Sequence, residues 1–214
     1  MTKSADFAAL RDRILEETLR QVPFEGWTEK SLTEGARAAG HPPEMALDLF
    51  PGGVPELLEA AARRADRAML AALDDHDLAS KKVRERVALA IRLRLELSAP
   101  YREAIQRAMP ILALPQNLPL AARILWRTVD AIWYAAGDNA TDFNFYTKRG
   151  LLAGVYSAAL AYWLNDQSPG TADTWTFVDR RLGEVLRVPQ ILGRLGKTLD
   201  GLPSPFRMMR RRPR

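Results

Sequence analysis

Residues 118–163 read LPLAARILWRTVDAIWYAAGDNATDFNFYTKRGLLAGVYSAALAYW. Apolar residues recur here at three- and four-residue intervals on both sides of a short polar connector, Gly137 to Thr141. That pattern predicts two apolar helices rather than strands, because a half-buried strand alternates with period two. Immediately after the connector, Asp142-Phe-Asn-Phe-Tyr-Thr-Lys-Arg149 sets aromatic and charged groups side by side at a helix start. Such a mixture suits a surface that other molecules touch. The flanking helices could line either a core or an apolar pocket.

Outward from this pair the same periodicity holds. Phe7, Leu10, Ile14, Thr18 and Val22 form one helical stripe, with a helix expected over 5–22 and ended by Pro23 and Gly26. Thr28 and Ser31 open a second helix that Gly40 closes, and a short third one runs from Glu44 to Phe50. After Pro51-Gly-Gly a long fourth helix is expected from Pro55 to about Asp75. Ser80 is the expected cap of a fifth, which carries Val83, Val87, Ile91 and Leu95 on one face. Tyr101 to Met109 makes another, and Pro110, Pro115 and Pro119 break the chain before the central pair. Beyond it, Thr171 or Asp173 starts a helix whose stripe is Trp175, Val178, Leu182 and Val185. No strand-period run of useful length exists, so the fold class is all-α.

Composition narrows the function. With 214 residues the chain can bury a proper core. It has no cysteine, which removes disulfides, thiol nucleophiles and cysteine-held metal. The longest near-apolar run, Gly150 to Leu164, falls short of the ~20 residues a membrane-spanning helix needs. The N-terminus shows no secretory h-region. The net charge of +5 resides in the last twelve residues, Pro203 to Arg214, which carry five Arg and no acid. Residues 1–50 hold six Lys/Arg against nine Asp/Glu, a balance that opposes phosphate binding.

Catalytic and metal motifs are missing. His41 and His76 have no His or Glu at ligand spacing, and Asp74-Asp75-His76-Asp77 reads as a solvated helix end. Gly196-Lys197-Thr198 lacks the earlier glycine of a phosphate loop, since that position is Ile191. No Gly-x-Ser-x-Gly occurs. The expectation is a protein without catalytic residues, metal or cofactor.

Two further patterns bear on partners. Gly150, Gly154 and Ala158 lie four apart on one helix face, which permits close helix approach either within the chain or in a homodimer. Near the C-terminus Val188, Ile191, Leu192, Leu195, Leu199 and Leu202 form an amphipathic stripe, followed by RMMRRRPR. An apolar stripe plus a polybasic run supplies the two signals that hold a chain on an anionic membrane surface. The organisation expected is a three-helix region over 1–52, a helical bundle over 53–187, and an amphipathic helix with a basic tail over 188–214. Trp126, Val129, Trp133, Val155 and Tyr156 are the candidates to line a lipid-sized cavity, with ordinary core as the alternative.

The first fifty residues, through GWTEKSLTEGARAAGH and the short helix ending at Phe50-Pro51, resemble the helix-turn-helix domain of TetR-family regulators. The resemblance implies a TetR-like helical bundle and leaves a ligand-responsive repressor as the rival function. The base-reading helix would be PPEMALDLF, however, where Glu44 and Asp48 meet phosphates and the first turn holds prolines, so nucleic acid is not the expected partner.

A second resemblance covers nearly the whole chain. VDAIWYAAGDNATDFNFYTKRGLLAGVYSAAL, with Asp173-Thr-Trp175 and Phe177, is similar to the lipid-binding accessory proteins of ubiquinone biosynthesis, ninth in the coenzyme Q series. It implies a TetR-like fold without DNA reading and a bundle that binds isoprenoid lipids or quinone intermediates. It also implies a last helix that engages the membrane and a patch offered to the di-iron hydroxylase that acts on demethoxy-ubiquinone. The matching patch positions are Asp130, Asp142, Phe145 and Tyr146. Animal members carry Trp where Phe145 stands, so the ring is kept and its N–H lost. The resemblance and the absence of a transit peptide lead to the expectation of a cytoplasmic protein peripheral to the inner membrane of a bacterium.

Overall fold

The computed structural model describes residues 3–137 and 143–185, with side chains from residue 6 in the first segment and residue 146 in the second. Among these residues there is no strand. The helices are α1 (Lys3–Glu25), α2 (Glu29–Ala38), α3 (Pro43–Leu49), α4 (Gly53–Asp74), α5 (Val83–Glu96), α6 (Arg102–Leu112), α7 (Leu118–Ala135), α8 (Phe143–Asn165) and α9 (Ala172–Val185). Short 3₁₀ turns precede α6, α7 and α9.

The first three helices fold as the sequence dictates, with one extension. α1 runs through Pro23 to Glu25 because the proline sits in the last turn, where its missing N–H removes one ladder bond. Gly26, at φ +71°, then turns the chain, and its N–H closes onto the Val22 carbonyl at 2.9 Å. Thr28 caps α2: its hydroxyl accepts from the Ser31 N–H, and Ser31 Oγ accepts from the Thr28 N–H, each at 3.2 Å. At the other end Gly40 adopts φ +80°, and the His41 and Gly40 N–H groups donate back to Ala36 and Arg37. This is a Schellman closure, which a side chain with a Cβ would strain. Where α1 crosses α2, a Cβ on Gly35 would fall 2.3 Å from Thr18 Oγ1 and 2.6 Å from its backbone N. Only glycine admits that approach. Thr18 satisfies its own buried hydroxyl by donating to the Ile14 carbonyl at 2.7 Å.

α5 begins later than Ser80. Asp77 captures Ser80 first: its carboxylate accepts the Ser80 N–H at 3.3 Å, and its carbonyl accepts the hydroxyl at 3.2 Å. Lys82 therefore takes the cap position, its N–H received by Glu85 Oε2 at 2.8 Å. Val87, Ile91 and Leu95 are buried as expected, but Val83 is 47% exposed in the opening turn. Phe7 in α1 is likewise exposed. α6 extends through Pro110 to Leu112.

Two apolar cores result. The first gathers Ile14, Leu15, Trp27, Leu32, Leu49 and Phe50 with Leu57 and Leu58 of α4, Ala104 and Ala108 of α6, and Leu120 of α7. The Trp27 indole N–H donates to the Ala104 carbonyl at 2.9 Å, tying the three-helix region to α6. The second core joins Met69, Leu73, Val87, Ile91, Leu95, Val129, Ile132, Trp133, Leu152, Val155, Tyr156, Trp163, Val178 and Leu182. α4 thus starts in one core and ends in the other. The expected boundary at 52/53 coincides with its start, yet the first core continues well past it.

Midway along α4 the two cores meet at a buried polar cluster. Asp66, 5% exposed, accepts from Arg94 Nε and Thr128 Oγ1 on one oxygen, both at 2.9 Å, and from Arg127 Nε on the other at 3.2 Å. Arg94 also donates to Ser98 Oγ at 2.9 Å and to the Ala62 carbonyl. Two turns earlier Glu59 receives Arg63, Arg123 and Arg127, which together hold its carboxyl below the usual range despite burial. The cluster fastens α4 to α5 and α7.

Candidate functional site

Of the four predicted patch residues, Asp130 on α7 and Tyr146 on α8 have described side chains. On α7, Trp126 and Asp130 stand one turn apart on a shared face, and on α8 Tyr146 and Arg149 do the same. The Trp126 and Tyr146 rings stack across the seam with centroids 6.2 Å apart and planes 29° apart. Arg149 Nε donates to Asp130 Oδ1 at 2.6 Å. Tyr146 is 67% exposed and Trp126 38%, while the Arg149 side chain is buried. One turn further along α7, Trp133 donates its N–H to the Lys148 carbonyl at 3.2 Å, and the Lys148 ammonium lies over its ring. Tyr134 is exposed beside this group. The arrangement is an aromatic surface braced by an ion pair one turn along the seam, a form suited to docking because it costs little side-chain entropy.

The structure redistributes the candidate lipid contacts. Val129, Trp133, Val155 and Tyr156 are packed in the second core, but Trp126 faces outward and belongs with Tyr146 instead. The reason is its place on the helix: Val129 and Trp133 define the buried stripe of α7, and Trp126 falls to the side of it. Burial raises the Tyr156 hydroxyl above its ordinary pKa, partly offset by the nearby Arg94 cation. Asp142, the Phe145 side chain and the stripe Val188, Ile191, Leu192, Leu195, Leu199 and Leu202 lie outside the described residues.

Arg149 and Arg94 are the residues that sequence reasoning missed. Arg149 was legible only as part of a charged run, and nothing in its spacing names Asp130 as its partner. Among the described residues no group of three or more His, Cys, Asp or Glu could hold a metal ion. Nor is any described helix long and apolar enough to cross a membrane. The outward positions of α3 are Glu44, Leu47 and Asp48, an acidic and apolar set with no basic side chain.

A family model, COQ9, matches residues 118–189, the span that contains this surface. The ubiquinone biosynthesis protein COQ9-B, mitochondrial, of Xenopus laevis is 30% identical over 196 residues, covering 88% of this chain and 67% of that protein. The chain belongs to the COQ9 family. The mitochondrial COQ9 proteins of Rattus norvegicus and Homo sapiens are 32% and 30% identical over 200 residues, each covering 90% of this chain. This COQ9-family chain spans 64% of the rat protein's length, just under two thirds. In solved structures, the TetR transcriptional regulator from Nitrosomonas europaea aligns with a TM-score of 0.67 at 21% identity, covering 83% of this chain and 98% of that one. That likeness establishes a TetR-like all-α fold.

Proposed function

We propose that this COQ9-family protein serves ubiquinone biosynthesis as a non-enzymatic lipid-binding accessory. In this reading it takes an isoprenoid quinone intermediate at an anionic membrane surface and presents it to a di-iron demethoxy-ubiquinone hydroxylase. The observation that carries the reading is the braced aromatic surface of Trp126 and Tyr146 with Asp130 and Arg149, inside the span the family model matches. A polyprenyl substrate barely dissolves in water, since each buried CH₂ is worth ~0.8 kcal/mol. A carrier that shields part of the chain lowers the cost of leaving the bilayer. Asp142 and Phe145 complete the docking surface in this reading, and the stripe from Val188 to Leu202 with the arginines after it rests on the membrane of a bacterial cell. A lipid in contact with Val129, Trp133, Val155 and Tyr156 requires α7 and α8 to part, because those side chains pack on one another.

The test is mass spectrometry of organic extracts from the purified protein. A co-purifying isoprenoid quinone or its precursor is the expected result, and protein free of any isoprenoid overturns the reading. Removal of 188–214 should abolish sedimentation with anionic liposomes if the membrane contact is made there.

A homodimer is the second part of the proposal. A Cβ added at Gly150 or Gly154 would meet nothing within 4 Å among the described residues, so neither glycine serves packing against them. Each costs α8 about 0.5–1 kcal/mol relative to Ala. Their use on an exposed face is explained by close approach of a second copy. Beside them, Tyr162 stacks on Phe177 at 4.9 Å, with the Arg180 and Arg181 guanidinium groups over the Phe177 ring. Operator binding is disfavoured by the acidic outward face of α3.

A further inference from the structure

The seam between α5 and α9 holds a concavity of about 470 Å³ that lies away from the docking surface and shares none of its residues. This volume falls within the ~300–1,000 Å³ typical of small-molecule sites. Ala88 and Leu89 of α5 and Trp175 and Val178 of α9 give it apolar walls. Trp175 is fixed there. Its indole N–H donates to the Gly170 carbonyl at 3.0 Å, and the Arg92 guanidinium covers its ring at 5.2 Å, itself held by Glu96 at 2.8 Å. The polar lining combines Lys81 and Ser80 with Glu85 and Asp179. Lys81 makes no ion pair among the described residues, and the Asp179 carboxylate is likewise unclaimed, since Arg84 takes the Asp179 carbonyl instead.

These groups decide the ligand class. The lining charges balance, with Lys81 and Arg92 against Glu85 and Asp179, so a phosphate or carboxylate head gains little net attraction. A neutral ring with oxygens is matched better: a ring carbonyl accepts from Lys81 or Ser80, and a ring hydroxyl donates to Asp179 or Glu85. The apolar walls and the Trp175 ring suit the ring faces and the first carbons of a tail. The geometry points to this seam as the site for the oxygenated ring of a neutral quinone or quinol. The assignment rests on the proposed function for the ligand's identity and adds a place for its head. Unlike the packed core at Val129 and Trp133, this concavity is open in the structure and requires no helix to part.

The experiment titrates the full chain with decylubiquinone, a soluble short-tailed quinone, and follows tryptophan fluorescence quenching. Saturable quenching is expected. Ala88→Trp, which fills the concavity from a half-buried position, should weaken binding at least tenfold. Lys81→Met, at a half-buried position, should weaken it three- to tenfold, and Phe24→Ala, at an exposed position outside both sites, should leave it unchanged. Dodecyl phosphate should compete poorly. Wild-type affinity in both Ala88→Trp and Lys81→Met overturns the site while leaving quinone carriage intact. Stronger competition by dodecyl phosphate overturns the neutral-ring assignment. Absence of any binding by the wild type overturns the site, and the organic-extract measurement decides the carrier reading independently.

Discussion

Asp130 of α7 and Arg149 of α8 are joined by a 2.6 Å hydrogen bond in which the cation is buried and the carboxylate half exposed. The pair lies one turn along the α7–α8 seam from the Trp126–Tyr146 stack and pins the two helices that carry the rings. Asp130→Ala should lower folding stability by about 1 kcal/mol, the screened value for a pair with one exposed member. Urea denaturation measures that. The same variant should lose hydroxylase co-purification more than its stability loss explains, because the rings are no longer braced.

Tyr146→Ala isolates the ring. Its side chain is mostly exposed, so the melting temperature should move little. Affinity for the hydroxylase should drop at least tenfold, or about 1.4 kcal/mol. Surface plasmon resonance with the purified partner gives the number, and an unchanged dissociation constant removes Tyr146 from the docking surface.

Asp66→Ala strikes the interior. It strands Arg94, 6% exposed, without its carboxylate, frees Thr128 and leaves Arg127 to Glu59 alone. Removing one member of a buried pair costs about 3–5 kcal/mol. A denaturation midpoint shift worth less than 1 kcal/mol would show that α4 is held by its apolar ends alone.

Acid should loosen the start of α9. The Asp166 carboxylate accepts from the Thr174 hydroxyl, the Ser168 N–H and the Thr174 N–H, and these bonds hold its pKa well below the ordinary value. A carboxyl whose folded pKa is depressed contributes stability above its unfolded pKa, near ~3.9, and loses it as the pH falls further. Glu59 and Asp77, also shifted down, act in the same direction. Asp166→Asn should therefore be less stable than wild type at pH 7, with the gap closing below about pH 4. Thermal melts across that range test it.

Gly154→Ala and Gly154→Leu separate the two uses of a small residue. Nothing among the described residues obstructs a side chain there. The alanine should stabilise the isolated helix by roughly 0.5–1 kcal/mol, and the leucine should dissociate the proposed dimer in sedimentation velocity. A dimer that survives leucine excludes this face.

The helices themselves were plain in the sequence, because periodicity and punctuation agree at Thr28, Gly40 and the proline breaks. The departures are local. Pro23 and Pro110 sit in last turns and so do not end their helices where they stand. Ser80 looks like a cap until Asp77 is seen to have taken its N–H. Phe7 and Val83 continue apolar stripes beyond the reach of any neighbour that could bury them. At the site, Asp130 and Tyr146 were named through the family resemblance, and the structure sets them on facing helices, one in an ion pair and the other in a ring stack. Trp126 sits at the margin of its core because a stripe wide enough to enter a core is also wide enough to overhang it. The Asp66–Arg94 cluster was invisible: charged residues on amphipathic helices ordinarily read as solvent-facing, and only packing of α4, α5 and α7 encloses these.

The sharing of α4 between the two cores has a consequence for inheritance. A deletion confined to residues 1–52 would uncover Leu57, Leu58, Ala104, Ala108 and Leu120, on the same α4, α6 and α7 that carry or support the docking surface. Damage at the front of the gene would thus be felt at the back of the protein, as aggregation or loss of the partner. A segment outside the docking surface can still be indispensable, because other helices use it to stay dry.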